Sequence, residues 1–187
     1  MKKLAIIGAS YLQFPLVEKA KEMNIETHCF AWEEGAVCKD IADYFYPISI
    51  LDKNSILSEC KKIDIDGIVS IASDAAVPTV SYVANEMGLI ANNYSDAFIS
   101  TNKYEMRKRF HSCGVMCPKF TIASDGQHNI TDFTFPLIVK PVDRSGSRGV
   151  IKVNKERDLE FAIDRAKQAS FSKQAIIEEY ISGDEVS

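Results

Sequence analysis

The first hundred residues switch repeatedly between strand-length and helix-length apolar patterns, and this alternation constrains the fold more than any other feature. Lys3 to Ile7 is an aliphatic run closed by Gly8. A helical pattern follows from Phe14 to Met23, with Pro15 in its first turn, where a missing N–H does no harm. Leu16, Val17 and Ala20 fall on one face of it. Glu26 to Trp32 reads as a second strand and Tyr44 to Ile48 as a short third one. Ile56 to Cys60 lies on a helix, and Gly67 to Ala72 is a buried strand. Ser73-Asp74 precedes a helix from Ala75 to Met87 that stops at Gly88, and Leu89-Ile90 opens another short strand. Strands alternating with helices imply a parallel sheet covered on both faces. Right-handed crossovers make residues 1–98 a Rossmann-like α/β layer.

The turn after the first strand reads Gly8-Ala9-Ser10-Tyr11-Leu12-Gln13. A dinucleotide fingerprint needs glycine at the first, third and sixth positions, so that backbone can approach pyrophosphate. Ser10 and Gln13 hold the latter two, which favours a plain strand-to-helix turn, although Glu33 or Glu34 could mimic a ribose-binding acid. Ser73 and Asp74 follow a predicted strand, at the end where open α/β sheets bind ligands. They are candidate substrate contacts, and either can also cap the next helix.

The formal net charge is −4, which gives no global field for nucleic acid or for an anionic membrane. No apolar run approaches the ~20 residues of a membrane span. Met1-Lys2-Lys3 is charged like a signal peptide, but the apolar segment behind it breaks at Gly8, so a cytoplasmic protein is expected. Of the five cysteines, only Cys113 and Cys117 are close, and neither spacing nor a nearby histidine resembles a zinc motif, so reduced thiols are expected. His28, His111 and His128 show no metal-binding or nucleophile-activating pairing, and Trp32 reads as packing.

The character changes after residue 98. Thr101 to Phe110 is a basic helix in which Tyr104 or Met106 with Phe110 supplies the apolar stripe, and Lys103, Arg107, Lys108 and Arg109 read as a solvated face. Gly114 ends it, and Pro118 to Ile122 is extended. Phe135 to Pro141 is a strand that delivers Lys140 at its end. The loop behind it, Val142-Asp143-Arg144-Ser145-Gly146-Ser147-Arg148-Gly149, leads to a strand from Val150 to Val153. A glycine-rich loop between strands can fold over a triphosphate and donate backbone N–H groups to its oxygens. Lys140 supplies a compact positive charge, with Arg144 and Arg148 to assist. The order is wrong for a Walker loop, and by loop chemistry alone a flexible hairpin is an equal reading. A helix from Lys155 to Gln168 carries Leu159, Ala162, Ile163 and Ala166 at helical spacing. Ala175 to Ile181 is a last strand, whose paired acids Glu178 and Glu179 read as solvated.

Four pieces in this order, Thr101-Asn102-Lys103, Phe135 to Pro141, Ser145 to Val150 and Ile177 to Glu185, behind a Rossmann-like layer, resemble the ATP-grasp superfamily. The resemblance covers the whole chain and looks closest to the carbamoyl-phosphate-synthase-like ligases. It implies a pre-ATP-grasp domain over residues 1–98 and the first part of an ATP-grasp domain, a small α+β subdomain, over residues 99–187. It implies ATP and Mg2+ as cofactors. Lys103 and Lys140 would contact phosphates, and Ser145, Gly146, Ser147, Arg148 and Gly149 would close over the β and γ phosphates. Glu178, Glu179, Tyr180 and Ile181 would meet adenine, and Glu185 would bind the ribose hydroxyls. The implied chemistry is activation of a carboxylate as an acyl phosphate, which an amine or another nucleophile then attacks.

In that family a second subdomain follows with the magnesium ligands, and this sequence stops at Ser187. The expectation is therefore an N-terminal fragment with no catalytic or metal residues of its own, inactive as a ligase alone and a weak ATP binder. Its partly apolar open face would favour a homo-oligomer. A non-catalytic nucleotide- or sugar-nucleotide-binding module is the alternative.

Overall fold

The computed structural model describes residues 1–123 and 128–184, and the chain divides into two compact units, Met1–Phe98 and Ile99–Ser187. The first unit holds β1 (Lys2–Ile7), α1 (Phe14–Glu22), β2 (Ile25–Phe30), β3 (Tyr44–Tyr46), α2 (Lys53–Ile63), β4 (Gly67–Val69) and α3 (Val77–Glu86). α4 (Tyr94–Thr101) spans the division. The four strands are parallel in the order β3-β2-β1-β4.

Alternation along β1 explains why helices cover both faces. Ala5 and Ile7 join Phe30, Ile56, Cys60 and Val83 in one core, while Ile6 joins Val17, Cys29 and Cys38 in the other. A parallel sheet apolar on both faces has no other way to leave water. No helix of the described residues is long and apolar enough to cross a membrane.

Two expectations for this unit are corrected, and one element is new. Leu89-Ile90 is not a strand. Gly88 takes a left-handed φ of 68°, Gly88 N–H donates to the Asn85 carbonyl, and Leu89 N–H donates to the Ala84 carbonyl at 2.8 Å. That pattern is a helix C-terminal lock, so Leu89 belongs to the end of α3 and Ile90 is left fully exposed. The helix expected from Ala75 begins as a 3-10 turn, Asp74–Ala76, before α3. α4 has no counterpart in the sequence reading; Asn93 starts it by accepting the Ser95 N–H at 2.9 Å.

The second unit holds α5 (Lys103–Ser112), β5 (Phe120–Ala123), β6 (Leu137–Pro141), β7 (Ile151–Val153), α6 (Leu159–Ala169) and β8 (Ala175–Glu179). Its sheet is antiparallel in the order β5-β8-β6-β7. Leu137, Val139, Val153, Ala175 and Ile177 pack against Leu159, Ala162, Ile163 and Ala166 of α6. Because side chains alternate along a strand, the register puts Phe120, Ile138, Lys152 and Glu178 in one row on the opposite face, with Ile122, Lys140 and Ile176 in the next. α5 meets this second face: the Tyr104 ring lies edge-on to Phe120 at 5.7 Å. β8 ends at Glu179 rather than Ile181, because Tyr180 N–H turns to the Pro136 carbonyl.

Candidate nucleotide site and a second cavity

β6 and β8 run antiparallel, with Ile138 opposite Glu178 and Lys140 opposite Ile176. Lys140 and Glu178 are therefore diagonal neighbours on the charged face. Lys140 Nζ donates to Glu178 Oε2 at 2.5 Å. From α5, Arg107 Nε donates to Glu178 Oε1 at 2.7 Å. The Glu178 side chain is only 4% exposed, against 16% for Lys140 and 19% for Arg107. Two expectations change here: Glu178 is buried rather than solvated, and Arg107 points into the unit rather than out of it. A carboxylate out of water needs cations on its oxygens, and a charge run on a helix gives no sign of a partner 71 residues away.

The glycine-rich loop leaves from the end of β6 with its base held on several sides. Lys103 N–H donates to the Val142 carbonyl at 2.7 Å, and Lys103 Nζ donates to the Arg144 carbonyl. The Asp143 carboxylate accepts from Ser170 Oγ at 2.8 Å, Phe171 N–H at 3.1 Å and Ser172 N–H at 2.8 Å. Burial pushes the Asp143 carboxyl up, but these donors outweigh it and hold the pKa below the usual carboxylate value. The Arg144 guanidinium lies 4.2 Å from the Phe171 ring centroid. At the far end, Gly149 has a φ of 75° and backs onto Pro141 and Ala169, where a Cβ would come within 2.9 Å of the Ala169 methyl. Ser145, Gly146, Ser147 and Arg148 project into solvent from this base.

Beyond the end of β8, the Lys152 ammonium sits over the Tyr180 ring at 3.5 Å, a contact the sequence reading did not contain. Glu179 is half-buried, and Ile181 is 65% exposed. Glu185 lies outside the described residues. Among the described residues no group of three or more His, Cys, Asp or Glu side chains is placed to hold a metal ion.

The first unit has its own cavity, of about 200 Å³, at the carboxyl ends of β1, β2 and β4, with Gly8, Ser10, Trp32, Glu34 and Ser73 in its lining. Its floor explains the missing glycines. The Gln13 side chain, 2% exposed, folds back under the turn and accepts from Ser10 N–H at 3.0 Å and Ser10 Oγ at 2.8 Å. Gln13 Nε2 donates to the Ile71 carbonyl at 2.6 Å. Gly8, at φ 107°, would place a Cβ 3.0 Å from that side chain. Ser73 is half-buried at the wall, but Asp74 is exposed and is not part of the lining. The expected helix cap is absent, since Ser73 stands at the cap position of the 3-10 turn without a side-chain hydrogen bond. The buried thiols Cys29 and Cys60 are pushed up to about 12 by burial, and all five cysteines are free.

Residues 133–187 match the ATP-grasp domain family. Over 98% of its length the chain is 25% identical to the formate-dependent phosphoribosylglycinamide formyltransferase of Prochlorococcus marinus, covering 48% of that protein. The chain thus spans about half the length of the curated relatives it matches. Among solved structures, the L-amino acid ligase of Bacillus licheniformis aligns with a TM-score of 0.72 and 20% identity, over 98% of this chain and 45% of the other. The biotin carboxylase domain of Hydrogenobacter thermophilus 2-oxoglutarate carboxylase, solved with MgADP, ADP and bicarbonate, aligns with a TM-score of 0.73 and 18% identity, over 96% of this chain and 44% of the other. Residues 133–187 are accordingly matched as ATP-grasp sequence, and the chain as a whole shares the fold of somewhat under half of each of these solved enzymes.

Proposed function

We propose that this chain supplies the nucleotide-gripping portion of an ATP-dependent ligase that joins a carboxylate to an amine or another nucleophile. The observation that carries the reading is the face of the antiparallel sheet on which Lys140 emerges beside the clamped base of the glycine-rich loop. A cation at a strand end, backbone donors on a loop beyond it and a second lysine at the loop stem together suit a polyphosphate.

In this reading Lys140 and Lys103 take phosphate oxygens, and Ser145 to Gly149 fold over the β and γ phosphates. Backbone of residues 178–181 offers N–H and C=O groups to adenine. Tyr180 borders the base with one ring face taken by Lys152, and Glu185 takes the ribose. Residues 1–98 act as the pre-ATP-grasp domain, and residues 99–187 as the linking helix and the first ATP-grasp subdomain. The cavity of the first unit, with Ser73 at its wall, receives the carboxylate or the nucleophile. Magnesium is expected with ATP, but the described residues offer no set of ligands for it, and no step here is assigned to it.

The reaction proceeds in two displacements. A carboxylate oxygen attacks the γ-phosphorus, the bond to the β-bridging oxygen breaks, and ADP leaves an acyl phosphate. The nucleophile then attacks the acyl carbon and expels inorganic phosphate. For a reaction of this kind the protein contributes mainly position and charge.

The test is a calorimetric titration of the chain with ATP, beside Lys140→Ala. Binding is expected in the parent and about tenfold weaker in the variant, as loss of one close charge implies. Equal affinities, or no binding by the parent, would remove the support for this reading and leave the cavity of the first unit as the place to look for a non-catalytic module.

A further inference from the structure

Glu178 faces two cations, although one is enough to balance it. Each carboxylate oxygen is committed to a different donor, Oε1 to Arg107 and Oε2 to Lys140, and all three side chains are largely withdrawn from water. The three formal charges leave this cluster with an excess of one positive charge. We propose that Arg107 is a positioning residue: by holding Glu178 it leaves the charge of Lys140 available to a phosphate group. This inference rests on the ATP reading above.

Without Arg107, Lys140 and Glu178 would form a closed, neutral pair. An arriving phosphate could then take Lys140 only by stripping a buried carboxylate of its last partner, an expensive step. With Arg107 in place, Lys140 can be shared or surrendered while Glu178 stays paired. The helix that carries Arg107 is built to hold it there. Asn102 caps α5 by accepting from the Tyr104 and Glu105 N–H groups at 3.1 Å. Lys103, one turn before Arg107, is tied to the loop stem through both its backbone and its ammonium group. Residues four apart share a helix face, so α5 brings one cation to the loop and another to Glu178.

The experiment compares Arg107→Met, Arg107→Lys and the double variant Arg107→Met/Glu178→Gln, each titrated calorimetrically with ATP and with adenosine, with circular dichroism as the check on folding. Arg107→Met is expected to bind ATP about tenfold more weakly, while adenosine, which has no phosphate, moves by less than about twofold. Arg107→Lys keeps the charge and stays within about threefold of the parent. The double variant removes one charge of each sign and returns ATP affinity to within about threefold of the parent. Unchanged ATP binding by Arg107→Met overturns the proposal, and so does a double variant as weak as the single one, since that marks a purely structural role. Should Arg107→Met not fold, Glu178→Gln decides: releasing both cations is expected to tighten ATP by about fivefold, and equal or weaker binding overturns the proposal. A parent chain that binds no ATP is the separate outcome, which defeats the ATP reading itself.

Discussion

The two units treat buried polar groups in different ways. In the first unit Gln13 in the turn before α1, Thr27 on β2 and Thr79 on α3 are buried, and each is satisfied by a hydrogen bond to a residue outside its own element. Thr79 Oγ1, for example, donates to the Ile50 carbonyl at 2.7 Å. Those groups fix the shape of turns and leave nothing over. The antiparallel sheet of the second unit buries a carboxylate instead, and surrounds it with more positive charge than it needs. The difference follows from how each sheet leaves water. A parallel sheet that is apolar on both faces leaves polar groups to its turns, its covering helices and isolated strand positions such as Thr27 and His28, whereas a sheet with a single apolar face can carry an ionic cluster on the other.

The contrast can be broken most sharply at Glu178. Glu178→Ala leaves two cations facing each other in a mostly buried site, and a loss of about 3–5 kcal/mol in unfolding free energy is expected by urea titration. A smaller loss would mean that water or another group neutralises the cluster. Gln13→Leu is the matching change in the first unit. It keeps the volume but strands the Ser10 N–H and the Ile71 carbonyl, for an expected loss of about 1–3 kcal/mol. An effect at Gln13 as large as that at Glu178 would erase the distinction between shaping a turn and balancing charge.

Asp143 sharpens the comparison at the smallest scale. Its pKa is held down in the folded chain, so its contribution is complete above the unfolded value of about 4 and disappears as pH falls through the folded value. Asp143→Asn is expected to cost about 1 kcal/mol at neutral pH. It should also flatten the acid limb of a stability-against-pH curve. An unchanged acid limb would show that Asp143 does not carry that dependence.

Much of the fold could be read from the chain, because strand and helix periods are local properties. Ile6 and Ile7 already announce a strand buried on both faces, and Leu159, Ala162, Ile163 and Ala166 announce the covered face of α6. Reading failed where the deciding partner is distant or the signal too short. Leu89 and the β-branched Ile90 form a short apolar pair after a glycine, but Gly88 recruits Leu89 into the end of a helix. Ala97 and Phe98 are too few to announce α4. In the candidate site, Lys140 and the loop could be singled out from the strand–loop–strand pattern, whereas Glu178 read as a solvated acid and drew notice only through the family resemblance. Their pairing could not, because the sheet order that sets β8 beside β6 is a tertiary property. Arg107 was lost among Lys103, Lys108 and Arg109, where only the sheet beneath α5 tells an inward cation from an outward one. Lys152, alone on a short strand, carried no signal at all.

Trp32 is the only tryptophan of the chain, and it stands 57% exposed in the wall of the cavity in the first unit. Indole emission shifts with the polarity of its surroundings, so the unlabelled chain carries its own optical gauge of that cavity. A library of small acids and amines can be ranked by fluorescence alone, before any reaction has been observed.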